Sequence, residues 1–297
     1  MPSRKNTSIK SRKSRKSRKS TPRKSRKIIK YSIGKKNNII NNFFDKITII
    51  NLQDKEKRWK DVIKGFIRNG IKFERYNAVD GRFTTIKENR DKKKLFELNY
   101  NVKIAKKLKA PEASLSIGTV DILRNMIKDK LSNILICEDD MYFIPSAIKK
   151  FTQGIEELPS DWDLLYLGCG KLCGCRGLSS NKTSKNKYLT GINEFLEDFD
   201  YFVQYKDDLR IIEENCEHIS NHLSIATKPG GTWCYAFSRK GAKKFLKYID
   251  NKITDHIDNM IIQAIKNGVL KAIAFDPPIV YHMGGAKRSD TSIPWDW

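Results

Sequence analysis

The sequence predicts an α/β domain built on a parallel sheet, and three observations carry that expectation. Strand-like and helix-like segments alternate from residue 46 onward. The strand-like segments are short and apolar along their whole length, as strands covered on both faces are. One of them, Ser132 to Asp140, runs through Ile134-Leu135-Ile136-Cys137 and ends in three adjacent carboxylates, Glu138, Asp139 and Asp140. Ligands collect at the carboxyl ends of buried parallel strands, so the rest of the chain reads as organised around that acidic tip.

Lys46 to Asn51 is a first buried strand, preceded by a linker over residues 37–45. Leu52-Gln53-Asp54 turns into a helix whose apolar face is Trp59, Val62, Ile63, Phe66 and Ile67, stopped by Asn69-Gly70. Lys72 to Val79 alternates and returns as a strand ending at Asp80-Gly81, which completes a strand–helix–strand unit. Asp91 to Leu108 is charged and weakly helical, and Val120, Leu123 and Ile127 mark a helix leading into the acidic strand. Ser146 to Leu158 reads as a helix after Pro145, and Asp161 to Gly168 as a strand. Residues 169–228 lose periodicity and read as an insertion or a substrate-facing loop region. Gly230 to Phe237 is a glycine turn plus strand. A helix capped by Ser238 follows, with Ala242, Phe245, Leu246 and Ile249 inward. Another, after Thr254, lines up Ile257, Met260, Ile261, Ala264 and Ile265, and Val269 to Val280 closes the sheet through Asp276-Pro277-Pro278.

Three adjacent acids repel one another and cost desolvation at a strand end unless a cation lies among them. Hard divalent ions such as Mn²⁺ or Mg²⁺ take oxygen ligands and keep substrate phosphates as partners. An exposed acidic turn is the plain alternative, but apolar Met141-Tyr142-Phe143-Ile144 follows the acids at once. A solvated turn seldom sits between two such runs.

The net charge of +24 suggests a nucleic-acid binder until the charge is located. Residues 1–36 hold sixteen Lys or Arg and no acid, leaving 42 basic against 34 acidic residues in the remainder. The imbalance belongs to the tail, whose Ser-Arg-Lys repeats at 11–19 carry almost nothing apolar before Ile28. Such a segment is expected to be disordered, so the domain division is a disordered Lys/Arg/Ser-rich tail and linker over 1–45 and a globular domain over 46–297. The tail suits nucleic acid or an acidic surface, and equally a purely solvating role. No apolar stretch follows it as in a signal peptide, and no run is long enough for a transmembrane helix. A cytoplasmic setting is therefore expected, the host cytoplasm or a virus factory if the chain is viral, with the six cysteines reduced rather than bridged.

The ordered segments resemble glycosyltransferase family 25, which includes lipopolysaccharide-type and procollagen galactosyltransferases. The matching residues are Ile50-Asn51-Leu52, Arg58, Phe73 through Arg82, the strand into Glu138-Asp139-Asp140, Trp162 through Gly168, and Gly231-Thr232-Trp233-Cys234-Tyr235. The resemblance covers residues 46–290. It implies a GT-A type, Rossmann-like nucleotide-sugar-binding domain that moves a hexose from a UDP-sugar, galactose or glucose, to a protein or glycan hydroxyl, with Mn²⁺ (or Mg²⁺) at the acidic motif. One departure stands out: Ser116 matches the serine of a Ser-His pair, and Ile117 replaces the histidine.

Displacing a nucleoside diphosphate requires its charge to be neutralised, which a divalent ion does as a Lewis acid. Glu138 and Asp140 fit the outer positions of a D-x-D-type motif. Asp140 is expected as a metal ligand, with Glu138 or Asp139 reaching the ribose or a metal-bound water. His282 is either a third ligand or a hydrogen-bonded histidine at a strand end. An inverting transfer needs a carboxylate base. Asp255 and Asp258 start one helix three residues apart, where acids also complement the helix dipole; the family pattern favours Asp258. Asn51 and Asp80 end strands beside the acidic one, where base and ribose would lie. Arg58 suits the pyrophosphate or a salt bridge on its helix, Gly231 a close backbone approach, and Trp233 either sugar stacking or the core.

Cys169, Cys173 and Cys175, with Cys216, His218 and His222 forty residues on, make a candidate structural Zn²⁺ set, the plain alternative being unpaired loop thiols. Two other functions use the same features. A basic nucleic-acid-binding protein or metal-dependent nuclease would employ the tail and the acids, and an inactive glycosyltransferase-fold binding domain would fit the Ile117 departure.

Overall fold

The computed structural model describes residues 38–82, 86–144, 146–170, 173–180, 209–213, 216–227 and 229–282, with the short stretches 30–31 and 188–189. Apart from Lys30–Tyr31, the basic tail lies outside the described residues, as do Pro145 and Lys171-Leu172. In chain order the first half comprises β1 (Lys30–Tyr31), α1 (Ile39–Phe43), β2 (Lys46–Asn51), α2 (Glu56–Arg68), β3 (Phe73–Asn77), α3 (Ile86–Tyr100), β4 (Lys103–Ile104), α4 (Ala110–Lys128), β5 (Asn133–Glu138), β6 (Met141–Phe143) and α5 (Ala147–Glu156). The second half comprises β7 (Leu164–Gly170), β8 (Arg176–Ser180), β9 (Tyr188–Leu189), β10 (Leu209–Glu213), β11 (Leu223–Ile225), β12 (Gly230–Ser238), α6 (Arg239–Ile249), β13 (Lys252–Ile253), α7 (Ile257–Lys266), β14 (Ala272–Phe275) and β15 (Val280–His282).

The main sheet has eight strands in the order β1-β3-β2-β5-β12-β7-β14-β11. β3, β2 and β5 pair in parallel, as do β7 and β14, while β12 lies antiparallel between β5 and β7. This is the expected α/β, Rossmann-like class, with a mixed rather than wholly parallel sheet. A consequence for function follows from the directions alone. Asn51, Asn77, Glu138, Gly170 and Phe275 all end their strands on one edge of the sheet, and the glycines that begin β12 lie on that same edge.

The period of two along each strand divides its side chains between two apolar layers. From β5, Leu135 and Cys137 enter a layer with Trp59, Phe66 and Phe151 from α2 and α5. Ile134 and Ile136 enter the other, with Ile117, Leu123, Phe245 and Ile261 from α4, α6 and α7. Tyr235 and Phe237 of β12 face that second layer, and Cys234 and Ala236 the first. Each fully buried aliphatic side chain contributes roughly 1.5–3 kcal/mol, so this double layer fixes strand register throughout.

Several expectations need correction. The stretch read as a linker is structured over its described residues 38–45: Asn38 caps α1 by accepting from the Ile40 N–H at 2.9 Å, and Ile40 and Phe44 are buried. Apolar residues in that short segment outweigh its weak helix propensity. Ile67, read as inward, is 40% exposed because the buried stripe of α2 runs through Trp59, Val62, Gly65 and Phe66 instead. The helix expected after Thr254 starts at Ile257, with His256 at its N-cap. Within 169–228, β8, β9 and β10 form a small separate sheet and β11 an edge of the main one. Ser238 caps α6 as expected, accepting from the Gly241 N–H at 3.0 Å. Among the described residues no helix is long and apolar enough to cross a membrane.

Candidate functional site

Glu138 ends β5, Asp139 and Asp140 make a tight turn that returns as β6, and β6 pairs with β15 so that His282 stands opposite Met141. That pairing brings a histidine from the far end of the described chain onto the acids. His282 Nε2 lies 3.0 Å from Asp140 Oδ2. From the other side Arg58, near the start of α2, reaches Asp140 Oδ2 at 2.9 Å and also contacts Asp139. Asp139 and Asp140 are 6% and 4% exposed, so these are buried charges and not a solvated turn.

Asn51 is consumed in holding this arrangement. Its Nδ2 donates to Asp139 Oδ2 at 2.5 Å, and its Oδ1 accepts from Arg75, which pairs with Glu56 at 3.0 Å and stacks 4.8 Å over Trp59. The sequence places Asn51 at the base or ribose, but both ends of its amide are turned inward to position Asp139. Thr232, 3% exposed at the start of β12, donates its hydroxyl to Glu138 Oε1. Thr232 and Arg75 lie within segments that match the family, yet the sequence gives neither a role, because an isolated polar residue in a strand carries no signal of its distant partner.

A cavity of about 280 Å³ opens beside the acids. Its wall includes Asn51, Arg58, Asp80, Arg82, Pro111 and Ser114 as well as Glu138, Asp139 and Asp140. Arg82 spans the rim, donating to Asp80 at 2.7 Å and to Asp54 at 2.9 Å, and its guanidinium holds both carboxyls below their usual range. Gly81 is obligatory there. A Cβ would lie 2.2 Å from Ser114 Oγ and 2.5 Å from the Ala110 carbonyl, so the strand end touches the first turn of α4.

Electrostatics within the trio are uneven. Burial, then the charge of Asp140, pushes Glu138 up to about 7. Burial would raise Asp140 too, but the bond to His282 and the charges of His282 and Arg58 hold it below the usual carboxylate range. Burial opposes the charge on His282, yet the Asp140 bond and the Asp140 and Glu138 charges raise it above an ordinary imidazole. Asp140 Oδ1 is buried with no hydrogen-bond partner. Three carboxylates face two cationic side chains and leave an orphaned oxygen, a donor set that fits a hard divalent ion.

The two candidate bases separate cleanly. Asp258 Oδ2 accepts from the Gly231 N–H at 3.3 Å, which the left-handed φ of 77° at Gly231 aims toward it. Asp255 turns elsewhere, accepting from the His256 N–H at 2.8 Å and Asn259 Nδ2 at 3.2 Å and pairing with Lys107 at 3.3 Å. Burial would raise Asp255, but these donors keep it low. Trp233 is half-buried with its ring 5.1 Å from that of His282, between core and site. Ser116 donates to the Glu112 and Asp255 carbonyls and Ile117 is fully buried, so this part of α4 serves packing.

The cysteines also depart from expectation. Cys169 is bonded to Cys173 and Cys175 to Cys216, leaving buried Cys137 and Cys234 as thiols with sulfurs 3.3 Å apart. Folding brings Cys175 and Cys216 to a Cα separation of 5.4 Å despite a sequence separation of 41, which is bridging range. His222 does not join the candidate zinc set: it pairs with Glu157 at 3.0 Å.

The model of glycosyltransferase family 25 (LPS biosynthesis protein) matches residues 44–261. No curated protein matches the chain. Among solved structures, a mannose-1-phosphate geranyltransferase from Thermus thermophilus aligns over 75% of this chain and 48% of its own, at 9% identity and a TM-score of 0.26. The chain thus spans about half the length of that protein. The inositol-1-phosphate CTP transferase from T. maritima aligns over 82% of this chain and 92% of its own, at 12% identity and a TM-score of 0.25.

Proposed function

The chain belongs to glycosyltransferase family 25, and on that premise we propose that it moves a hexose, galactose or glucose, from a UDP-sugar to a protein or glycan hydroxyl with inversion. The observation that carries this reading is the buried carboxylate of Asp140, with one oxygen unpartnered, on the wall of a cavity shared with Arg58 and Asp80.

Mn²⁺ or Mg²⁺ fits the acids, with Asp140 and His282 holding it directly and Glu138 at one remove. Bound there, the ion would act as a Lewis acid on the leaving diphosphate. The chain's own residues supply the rest. Arg58 adds a fixed cation for phosphate oxygens, and Asn51 with Arg75 keeps Asp139 from swinging away. Asp80 and Arg82, at the rim, offer an acceptor and donors to a ribose. Asp258, oriented by the Gly231 amide, takes the proton of the acceptor hydroxyl as that oxygen attacks opposite the diphosphate. Asp255, committed to His256, Asn259 and Lys107, is better read as a helix-start acid. Trp233 offers a ring edge to the sugar. The basic tail is a further proposed contact, for nucleic acid or another acidic surface.

The test is incubation of the protein with a panel of UDP-sugars and Mn²⁺ while UDP release is followed. Release with one hexose donor, lost on chelation, supports the reading; no release with any UDP-hexose and a range of glycan and protein acceptors defeats it.

A further inference from the structure

Farther along the same sheet edge, past the end of β14, lies a cluster that the acidic site does not use. Sγ of Cys175, a ring nitrogen of His218 and a carboxylate oxygen of Asp276 lie within 4.8 Å of one another. Cys216 joins them as the bonded partner of Cys175. The fold holds each in place. Asp276 is fully buried, and its N–H donates to the His222 carbonyl at 2.8 Å. The Cys175 N–H donates to Asp276 Oδ2 at 3.2 Å, and His218, paired across from Ser224, sets Nδ1 3.5 Å from that same oxygen. Gly174 lets the loop come this close, since a Cβ there would lie 2.0 Å from Ser224 Oγ and 3.2 Å from Asp276 Cβ.

We propose that, with the Cys175–Cys216 bond reduced, Cys175, Cys216, His218 and Asp276 form a four-coordinate zinc site. Two sulfurs, one imidazole and one carboxylate make a donor set that suits Zn²⁺ and not the oxygen-seeking ions expected at Asp140. Neighbouring ligands of a tetrahedral zinc ion stand about 3.3–3.8 Å apart given its bond lengths. The His218–Asp276 separation of 3.5 Å already falls there, and the two sulfurs, released from their bond, must part by about 2 Å. The disulfide and the zinc dithiolate are alternative states of one pair of sulfurs. An added phosphine breaks the S–S bond and leaves as its oxide, taking the oxygen of one water whose two protons give two thiols, and zinc then displaces both thiol protons.

The experiment uses the full chain, reduced with a phosphine and titrated anaerobically with Co²⁺ and then Zn²⁺. We expect thiolate-to-cobalt charge transfer and the strong visible bands of tetrahedral cobalt, saturating at about one ion per chain and bleached by zinc. Oxygen-bound Co²⁺ at the acids gives no thiolate charge transfer, so the two sites are told apart. Cys216→Ser should lower the charge-transfer intensity by about half, and His218→Ala should weaken Co²⁺ binding at least about 10-fold. The His218 side chain is 42% exposed, so that variant should fold and melt as the metal-free parent does. Uptake of Co²⁺ without thiolate charge transfer, or charge transfer undiminished in Cys216→Ser, overturns the proposal.

Discussion

His282 Nε2 and Asp140 Oδ2 stand 3.0 Å apart, joining the last described strand to the turn that ends β5. The contact exists because β15 pairs with β6 in the register that sets His282 across from Met141. Asp140 thereby sits between an imidazole and the Arg58 guanidinium, with its second oxygen buried and unpartnered. That unpartnered oxygen is where the proposed cation would bind.

Replacing His282 with Ala should weaken Mn²⁺ binding by about 10–100-fold, the usual cost of losing a group that binds or orients a metal ligand. Calorimetric titration of the variant against the parent measures it. Equal affinity would remove His282 from the metal site.

The metal-free protein should lose thermal stability as pH rises from about 5 to about 8. Glu138, pushed up to about 7 by burial, keeps a proton in the folded state across an interval where the unfolded chain has released its own. Stability therefore falls as pH rises through that interval. His282, also raised, acts in the same direction above pH 6.5, while Asp140, lowered, acts in the opposite direction only below its ordinary 3.8. Melting temperature should drop by several degrees between pH 5 and pH 8, and Mn²⁺ should restore the loss at pH 8.

Asn51→Ala should cost about 1–3 kcal/mol of folding stability, since it strips a hydrogen-bond partner from Asp139 and from Arg75 together. Urea denaturation reads this. The same variant should bind donor less well, because Asp139 is then free to turn.

At Gly81, substitution by Ala forces a methyl against Ser114 Oγ and the Ala110 carbonyl. Overpacking of this kind costs about 1–3 kcal/mol and should shift Asp80 and Arg82 at the rim. Adding Ser114→Gly should recover only part of the loss, as the carbonyl clash persists. Full recovery would show that the side chain alone sets the fit.

Local patterning makes much of the fold readable. β2, β5, β12 and α6 follow from apolar runs, glycine turns and the Ser238 cap. The antiparallel sense of β12 is not readable, because a strand covered on both faces has the same composition in either direction. The helix over 39–43 escapes a sequence reading since Asn and Ile there have little helix propensity and packing of Ile40 and Phe44 decides the matter. At the site, the acids and Asp80 are visible as strand ends. The partners of Arg58, Arg75 and Thr232 are not, for each pair meets only after residues 19 to 94 positions apart are brought together.

Asp140→Ala bears most directly on the central claim. The folded variant, checked by its melting and circular dichroism, should release UDP from a UDP-hexose with Mn²⁺ at least about 10²–10³-fold more slowly than the parent. A variant that keeps its fold and releases UDP at the parental rate would contradict the assignment of these carboxylates to a cation and its diphosphate.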